Sequence, residues 1–412
     1  MSFESFYFHP RIADGIRALG YVVPTPIQEE AMPPILDGSD VMGLAETGTG
    51  KTAAFVLPMS ERFLKGPRGR IRGLVLSPTR ELAQQTHEVL RALGKQTGLR
   101  STTVYGGVGY EPQIKKLRSG VEFVVACPGR LLDLVGRGIV DLSTVEVVVL
   151  DEADRMLDMG FLPDIRRILQ LLPRERQTLL FTATMPPDIR RLTRDFMRQP
   201  VVVRVGQEGP VKGVTHELYP VAPHLKAALL VELLRRTETG PVLVFTRTKH
   251  HATRLAERLQ RSGFRATCLQ GDMSQSRRQA AMDAFRNGKI DILVATDIAA
   301  RGIDVPDISH VVNFDMPDTV DGYTHRVGRT ARASRTGNAI NIVTRDDVEV
   351  VNAVEARLNE RLECRSVEGF DYEAPGAVAA RSASRPSRPS GPSRPARRPD
   401  RRPERRRVSA AA

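Results

Sequence analysis

The sequence predicts an α/β protein: two tandem domains, each a mostly parallel sheet flanked by helices, followed by a disordered basic tail. Three observations carry that prediction. Short, unbroken apolar runs recur along the chain, helical patterns fall between them, and the alternation lapses near residue 206 and again after residue 370. A run that is apolar at every position suits a strand buried on both faces, the condition of a parallel sheet covered by helices.

Within residues 1–205 the runs at 41–45, 73–76, 123–126, 145–150 and 178–181 read as strands, and 80–93 and 186–197 as helices. Residues 206–213, opening Gly206-Gln207-Glu208-Gly209-Pro210, read as a polar linker. Residues 214–370 resume the alternation, with strands at 242–245, 290–295, 309–314 and 339–343 and helices at 252–261 and 274–285. A cleft between two such domains is a natural ligand site.

Composition excludes several classes. The 412 residues are 41% hydrophobic and 26% charged, with 61 Lys and Arg against 48 acids. No apolar run reaches the roughly 20 residues that cross a bilayer. The start, Met1-Ser2-Phe3-Glu4, lacks the basic and apolar stretches of a signal peptide. Cys127, Cys268 and Cys364 are too few and too scattered for a disulfide framework or zinc cluster. The expectation is a cytoplasmic protein without membrane contact and, lacking a sustained heptad pattern, a monomer.

Charge is concentrated at one end. Residues 376–412 hold 11 Arg and two acids, +9 of the net +13, which leaves +4 for the rest. That segment repeats Arg-Pro-Ser and has almost no large apolar residue, so burial cannot offset its ordering entropy. Residues 371–412 are read as an extended arm, either a solubilising tail or a non-specific nucleic-acid contact. Arginine without lysine favours the second, because guanidinium binds phosphate bidentately.

The chemistry begins at Ala45-Glu46-Thr47-Gly48-Thr49-Gly50-Lys51-Thr52, between the first strand and a helical pattern. Glycines there let backbone amides wrap phosphates at a helix N-terminus. Lys51 would neutralise the β/γ-phosphates and the Thr52 hydroxyl would coordinate Mg²⁺. A second buried run ends in Asp151-Glu152. One such acid can hold Mg²⁺, and the next can orient or deprotonate the attacking water. Together they predict an ATP- or GTP-hydrolysing site.

The string Asp151-Glu152-Ala153-Asp154 spells the signature of the DEAD-box RNA helicases, and the chain resembles that family over nearly all of residues 1–360. The resemblance implies tandem RecA-like domains, with ATP and Mg²⁺ as cofactors and RNA as a largely sequence-independent partner. Phe3 and the segment from Gly20 through Tyr21, Thr25 and Gln28 look like the Q motif. In the family its amide reads the adenine edge while aromatics pack on the base. An amide offers donor and acceptor together, as adenine requires.

Pro78-Thr79-Arg80-Glu81-Leu82, Gly106-Gly107 and Pro128-Gly129-Arg130 match the first-domain segments that hold RNA phosphates in the family. Arg247, Gly271, Arg278 and Thr296 lie in matching second-domain segments and are expected at RNA, and Asp304 near the ribose. Asp154, the Thr182-Ala183-Thr184 segment and His325 resemble the elements that couple hydrolysis to strand separation. In the last motif Arg329 and Arg332 resemble arginine fingers, which place positive charge where the transition state spreads negative charge.

Cys127 stands where Thr is usual, Thr182 where Ser is, Gln270 where His is and Ala331 where Gly is common. None removes a phosphate ligand, magnesium ligand or finger. The layout is most similar to the bacterial RhlE-type branch. The resemblance implies RNA-stimulated ATP hydrolysis coupled to local, non-processive unwinding of short duplexes or RNP remodelling. Ribosomal or RNA-degradation proteins are possible partners of the tail. A DNA-directed helicase and a non-enzymatic RNA scaffold are the competing readings.

Overall fold

The computed structural model describes residues 2–45, 48–205, 213–238, 240–300, 308–330 and 336–375. Most of the linker (206–212) and most of the tail (376–412), as well as Glu46, Thr47, Asp304, Ala331 and Arg332, lie outside the described residues. Residues up to Phe370 form one compact unit. The few described residues beyond it include a turn in which the Glu373 N–H donates to Asp371 Oδ1 at 3.0 Å.

The first lobe holds β1 (Val41–Leu44), β2 (Gly73–Leu76), β3 (Ser101–Val104), β4 (Phe123–Ala126), β5 (Val147–Leu150), β6 (Gln177–Thr182) and β7 (Val201–Arg204). They form one sheet in the order β3-β4-β2-β5-β6-β1-β7. The second lobe holds β8 (Val214–Pro220), β9 (Val242–Thr246), β10 (Ala266–Leu269), β11 (Ile292–Thr296), β12 (His310–Asn313), β13 (Gly337–Val343) and β14 (Glu363–Cys364). Their order is β10-β11-β9-β12-β13-β8-β14. All described pairings are parallel.

The strands read as fully apolar are the central ones, and their side chains are buried on both faces: Leu74, Val75, Val124, Val125, Val148 and Val149 are all 0% exposed. At roughly 25 cal/mol per Å² of apolar surface, such doubly covered strands supply much of the folding drive. Helices such as Lys51–Leu64 and Arg80–Thr97 cover the faces. The N-terminal helices Pro10–Ala18 and Pro26–Leu36 bury Ile12, Ile16 and Ile27 in the same core.

Parallel strands deliver their following loops to one edge of a sheet, where ligands of such folds bind. Residues 45–50 follow β1, 77–79 follow β2, 151–152 follow β5 and 183–184 follow β6. No described helix is long and apolar enough to cross a membrane.

Candidate functional site: a glycine-rich loop, a buried acid pair and an interlobe cavity

Gly50 precedes the helix Lys51–Leu64 with φ +93°, a left-handed conformation that suits glycine. A Cβ there would lie 2.5 Å from Gln28 Nε2 and 2.9 Å from Thr25 Oγ1. The loop is tied to the N-terminal region: Gln28 Nε2 donates to the Gly50 carbonyl at 3.0 Å. Gln28 Oε1 accepts from the Thr25 N–H at 3.0 Å, closing a capping box on Pro26–Leu36. One N–H and one lone pair of that amide remain after these bonds. Phe3 is buried and lies against Tyr21, ring centroids 6.3 Å apart at 21°, so the two rings form one aromatic wall.

Lys51 is buried, with Nζ donating to the Ala45 carbonyl at 3.0 Å and 3.9 Å from the Glu152 carboxylate. Ala45 is pinned in turn, its N–H donating to the Thr182 carbonyl at 3.0 Å. Thr52 is half-buried beside Lys51, and Thr49 half-buried before it. Asp151 and Glu152 leave β5 and are both buried. Burial pushes the Asp151 carboxyl above the usual carboxylate range, with Lys51 opposing the rise. Glu152 adopts φ +53°, left-handed for a residue with a side chain, a conformation that costs about 1–2 kcal/mol. Its carboxylate pairs with Arg155, one helical turn on.

Asp154 binds the loop after β6. Its Oδ2 accepts from the N–H groups of Ala183 (3.1 Å) and Thr184 (2.8 Å) and from the Thr184 hydroxyl (3.0 Å). The Asp154 N–H donates to Thr182 Oγ1 at 3.3 Å, and that hydroxyl donates to the Thr184 carbonyl at 2.8 Å. The hydroxyl that Thr182 shares with Ser is therefore in use.

In the second lobe the helix Val320–Val327, capped by Thr319, carries His325 and Arg326, and the turn after it carries Arg329. Arg326 is held bidentately by Asp297 at 2.6 and 2.7 Å and donates to Asn313 Oδ1 at 2.9 Å. It is a buried tie within its own lobe. Arg329 is buried and reaches the wall of a cavity of about 410 Å³ between the lobes, which Arg155, Thr184, His325 and Arg326 also line. Burial lowers the His325 pKa; Arg155 of the first lobe lowers it further, and Asp154 opposes.

The expected RNA segments of the first lobe meet on one surface. Thr79 caps Arg80–Thr97, its Oγ1 accepting from the Leu82 N–H at 3.3 Å, with Pro78 buried before it. The Arg80 guanidinium lies over Gly107, where a Cβ would come within 2.3 Å of it at φ +75°. Gly106 is half-buried beside it. Arg130 stacks over the Tyr110 ring at 4.0 Å and donates to the Val108 carbonyl at 3.2 Å, while Pro128 is buried and Gly129 exposed. Cys127, just before, is a thiol: burial and then Glu81 push its pKa up to about 12.

In the second lobe Arg247 and Gly271 are exposed and Thr296 half-buried. Arg278, also expected at RNA, makes protein contacts on both sides. Its side chain is about 10% exposed, Nε donates to Glu81 Oε1 at 2.8 Å, and Nη1 donates to the Gln270 carbonyl at 3.2 Å. The guanidinium is a strut between lobes. Glu81 was expected only as part of the RNA segment 78–82, and Arg155 was not among the expected site residues. The signal for Arg155 was its i+3 spacing from Glu152, which places an acid and a base on one helix face.

Two family models match in the order of the lobes: the DEAD/DEAH box helicase over residues 25–192 and the helicase conserved C-terminal domain over 225–334. The chain is 44% identical over 347 residues to the RNA helicase CrhR of Synechocystis sp., a match covering 84% of this chain and 70% of that protein. The chain belongs to the DEAD-box RNA helicase family. It is likewise 40% identical over 363 residues to the ATP-dependent RNA helicase CshA of Limosilactobacillus reuteri, covering 88% of this chain and 73% of that one. Among solved structures, S. cerevisiae Dbp5 bound to RNA and ADP BeF3 superposes with a TM-score of 0.80 at 30% identity, over 88% of this chain and 95% of that chain. A DEAD box protein from the hyperthermophile Methanococcus jannaschii is 35% identical with a TM-score of 0.52, over 89% and 99% of the two chains. This DEAD-box protein is thus an RNA-dependent ATPase and RNA helicase, built as tandem RecA-like lobes.

Proposed function

We propose that this helicase closes its lobes on ATP and RNA to melt a few base pairs locally, without translocating, and so unwinds short duplexes or remodels RNPs. The observation that carries the reading is a run of charged groups leading from the glycine-rich loop to the cleft. Lys51 lies 3.9 Å from Glu152, Glu152 pairs with Arg155, and Arg155 shares the interlobe cavity with His325 and Arg329. A site divided this way is complete only when closed, so ATP and RNA each favour the state that binds the other.

In this reading residues 48–52, with Glu46 and Thr47, cradle the phosphates, and Phe3, Tyr21, Thr25 and Gln28 hold the adenine. Glu152 accepts the proton of the attacking water, and Arg329, with Arg332, faces the γ-phosphate; Asp304 lies at the ribose. The donors of Thr52 and Asp151 fit Mg²⁺, a hard cation that keeps several waters and takes one or two carboxylates plus phosphate. A buried carboxylate whose charged form is disfavoured gains from such a cation. The bound ion would neutralise phosphate charge. Asp154, Thr182, Thr184 and His325 transmit closure, and the Arg80–Gly107 and Arg130 surface takes phosphates of one strand. The domains span 1–205 and 214–370, and the arginine-rich tail of this monomeric, cytoplasmic protein contacts RNA or ribosomal and RNA-degradation proteins.

Single-turnover unwinding against duplex length tests this. Stacking is worth about 1.4 kcal/mol per step in DNA duplexes, and a cost of that order for each added RNA step should make rates fall steeply with length. A rate independent of length would mean processive translocation and overturn the proposal.

A further inference from the structure

The N-terminal ends of β2, β3 and β4 carry a surface that the reading above leaves unused. The expected RNA segments leave these strands at their C-terminal ends. Four residues at about 3.3 Å each put the opposite ends about 13 Å away. There, residues 65–72, Arg100 and the turn 119–122 come together around one buried acid. Glu122 is 1% exposed, and its carboxylate accepts from the Gly69 N–H at 2.6 Å and the Arg100 N–H at 2.7 Å. Its carbonyl accepts from the N–H groups of Arg72 and Gly73, both at 2.9 Å. Gly120, at φ +79°, packs so closely that a Cβ would meet the Gly69 carbonyl oxygen at 2.8 Å. Arg100 Nη1 donates to the Ser119 carbonyl at 2.9 Å.

The frame is locked, and its acid is used on backbone amides. What it presents is positive. Arg68, Arg70, Arg100, Lys115, Lys116 and Arg118 are all exposed, and among the described residues none of them forms an ion pair with a carboxylate. Glu146, the acid beside Arg72, is taken by Arg72 and Arg62. His87, on the neighbouring helix Arg80–Thr97 and 3.0 Å from Ser101 Oγ of the edge strand, stays neutral near pH 7, its pKa held down at about 4 by burial and then by Lys116 and Arg91. Soluble surfaces normally intersperse the two signs, because like charges repel.

We propose that this surface is a second RNA contact, binding the sugar–phosphate backbone of a strand or duplex that flanks the segment held between the lobes. Four of the six cations are arginines, whose planar fork suits bidentate phosphate binding. RNA is favoured over other polyanions because, on the proposed reading on which this inference rests, the substrate is held on the far ends of the same three strands, which gives its flanks a high effective concentration here. Backbone contacts position without reading sequence.

The test uses the full-length protein with Arg68, Arg70, Lys115, Lys116 and Arg118 all changed to Gln, sparing Arg100 and its frame bond. Binding of a long structured RNA and of a short single strand is titrated against salt, alongside ATPase stimulated by the short strand. Each phosphate contact contributes about 0.7–0.9 to the slope of log K on log salt. The slope for long RNA should therefore drop by two to four or so, and its low-salt affinity by more than about tenfold. Short-strand affinity, stimulated ATPase and thermal melting should stay at the wild-type level. An unchanged long-RNA slope overturns the proposal. So does variant-sensitive binding to phosphatidylserine vesicles or a polyglutamate peptide with long-RNA binding intact, which would assign the surface to a membrane or an acidic protein. Failure of the interlobe reading would show separately, as wild-type ATPase that the short strand does not stimulate.

Discussion

Arg278 of the second lobe donates to Glu81 of the first at 2.8 Å, with both side chains close to 10% exposed. Gln275, one turn earlier, faces Arg80 at 3.4 Å, so the contact is part of a short seam. When the lobes separate, each charge regains its water. The pair therefore affects closure more than folding. Leaving one partner of a buried pair uncompensated costs about 3–5 kcal/mol, and here that cost falls on the closed state. Glu81→Ala should weaken RNA binding in the presence of a non-hydrolysable ATP analogue by about 100-fold or more. Thermal melting and ATP affinity without RNA should barely change. Exchanging the two residues should restore part of the loss, and a single variant that binds RNA normally would show the contact to be incidental.

Glu152 stands between Lys51 and Arg155. Glu152→Gln keeps the shape and removes the proposed base, so RNA-stimulated turnover should fall by about 10²–10⁴-fold. Arg329→Ala should cost about 10³–10⁵-fold, the range for an arginine finger. Nucleotide affinity, measured by fluorescence titration, should remain within several-fold in both. Turnover near the wild-type rate in either variant would remove that residue from the reaction.

Thr182 separates structure from coupling. It is 0% exposed, and its hydroxyl links Asp154 to Thr184. Thr182→Ser keeps the link and loses a methyl, at about 1 kcal/mol of stability. Thr182→Val keeps the shape and leaves the Asp154 N–H without its acceptor. Duplexes separated per ATP hydrolysed should hold in the first and fall several-fold in the second. Equal ratios would mean that the hydroxyl carries no coupling.

The sequence was legible where burial is two-sided. β1, β2, β4, β5 and β6 read as apolar runs because helices cover both faces, and the same holds for β9, β11, β12 and β13. The strands missed lie at or next to the sheet edges, where one side is polar. β3 is Ser-Thr-Thr-Val with alternating burial, β7 leaves Val202 46% exposed, and β8 interleaves His216 and Glu217 with its apolar residues. In the site, loop chemistry is local, so Gly50, Lys51 and Asp151-Glu152 were readable from neighbours in the chain. The tie between Arg278 and Glu81 was not, because the two are almost two hundred residues apart and an exposed and a buried arginine look alike in a sequence.

Stability should fall with acid in a window that the histidines define. Burial lowers the pKa of His87, His216, His310 and His325, with His87 held at about 4. Below the ordinary value near 6.5, the unfolded chain takes up protons that the folded state refuses, so each such group destabilises the fold as pH drops. The contribution is complete above about 6.5 and is lost between there and the folded value. His87 is only partly buried, so solvent screening reduces its share. Melting temperature should hold from pH 8 to about 7 and then decline toward pH 5. His87→Gln retains a partner for Ser101 without a titratable ring, and should flatten part of that decline. A pH profile identical to wild type would show that His87 titrates alike in the folded and unfolded chain.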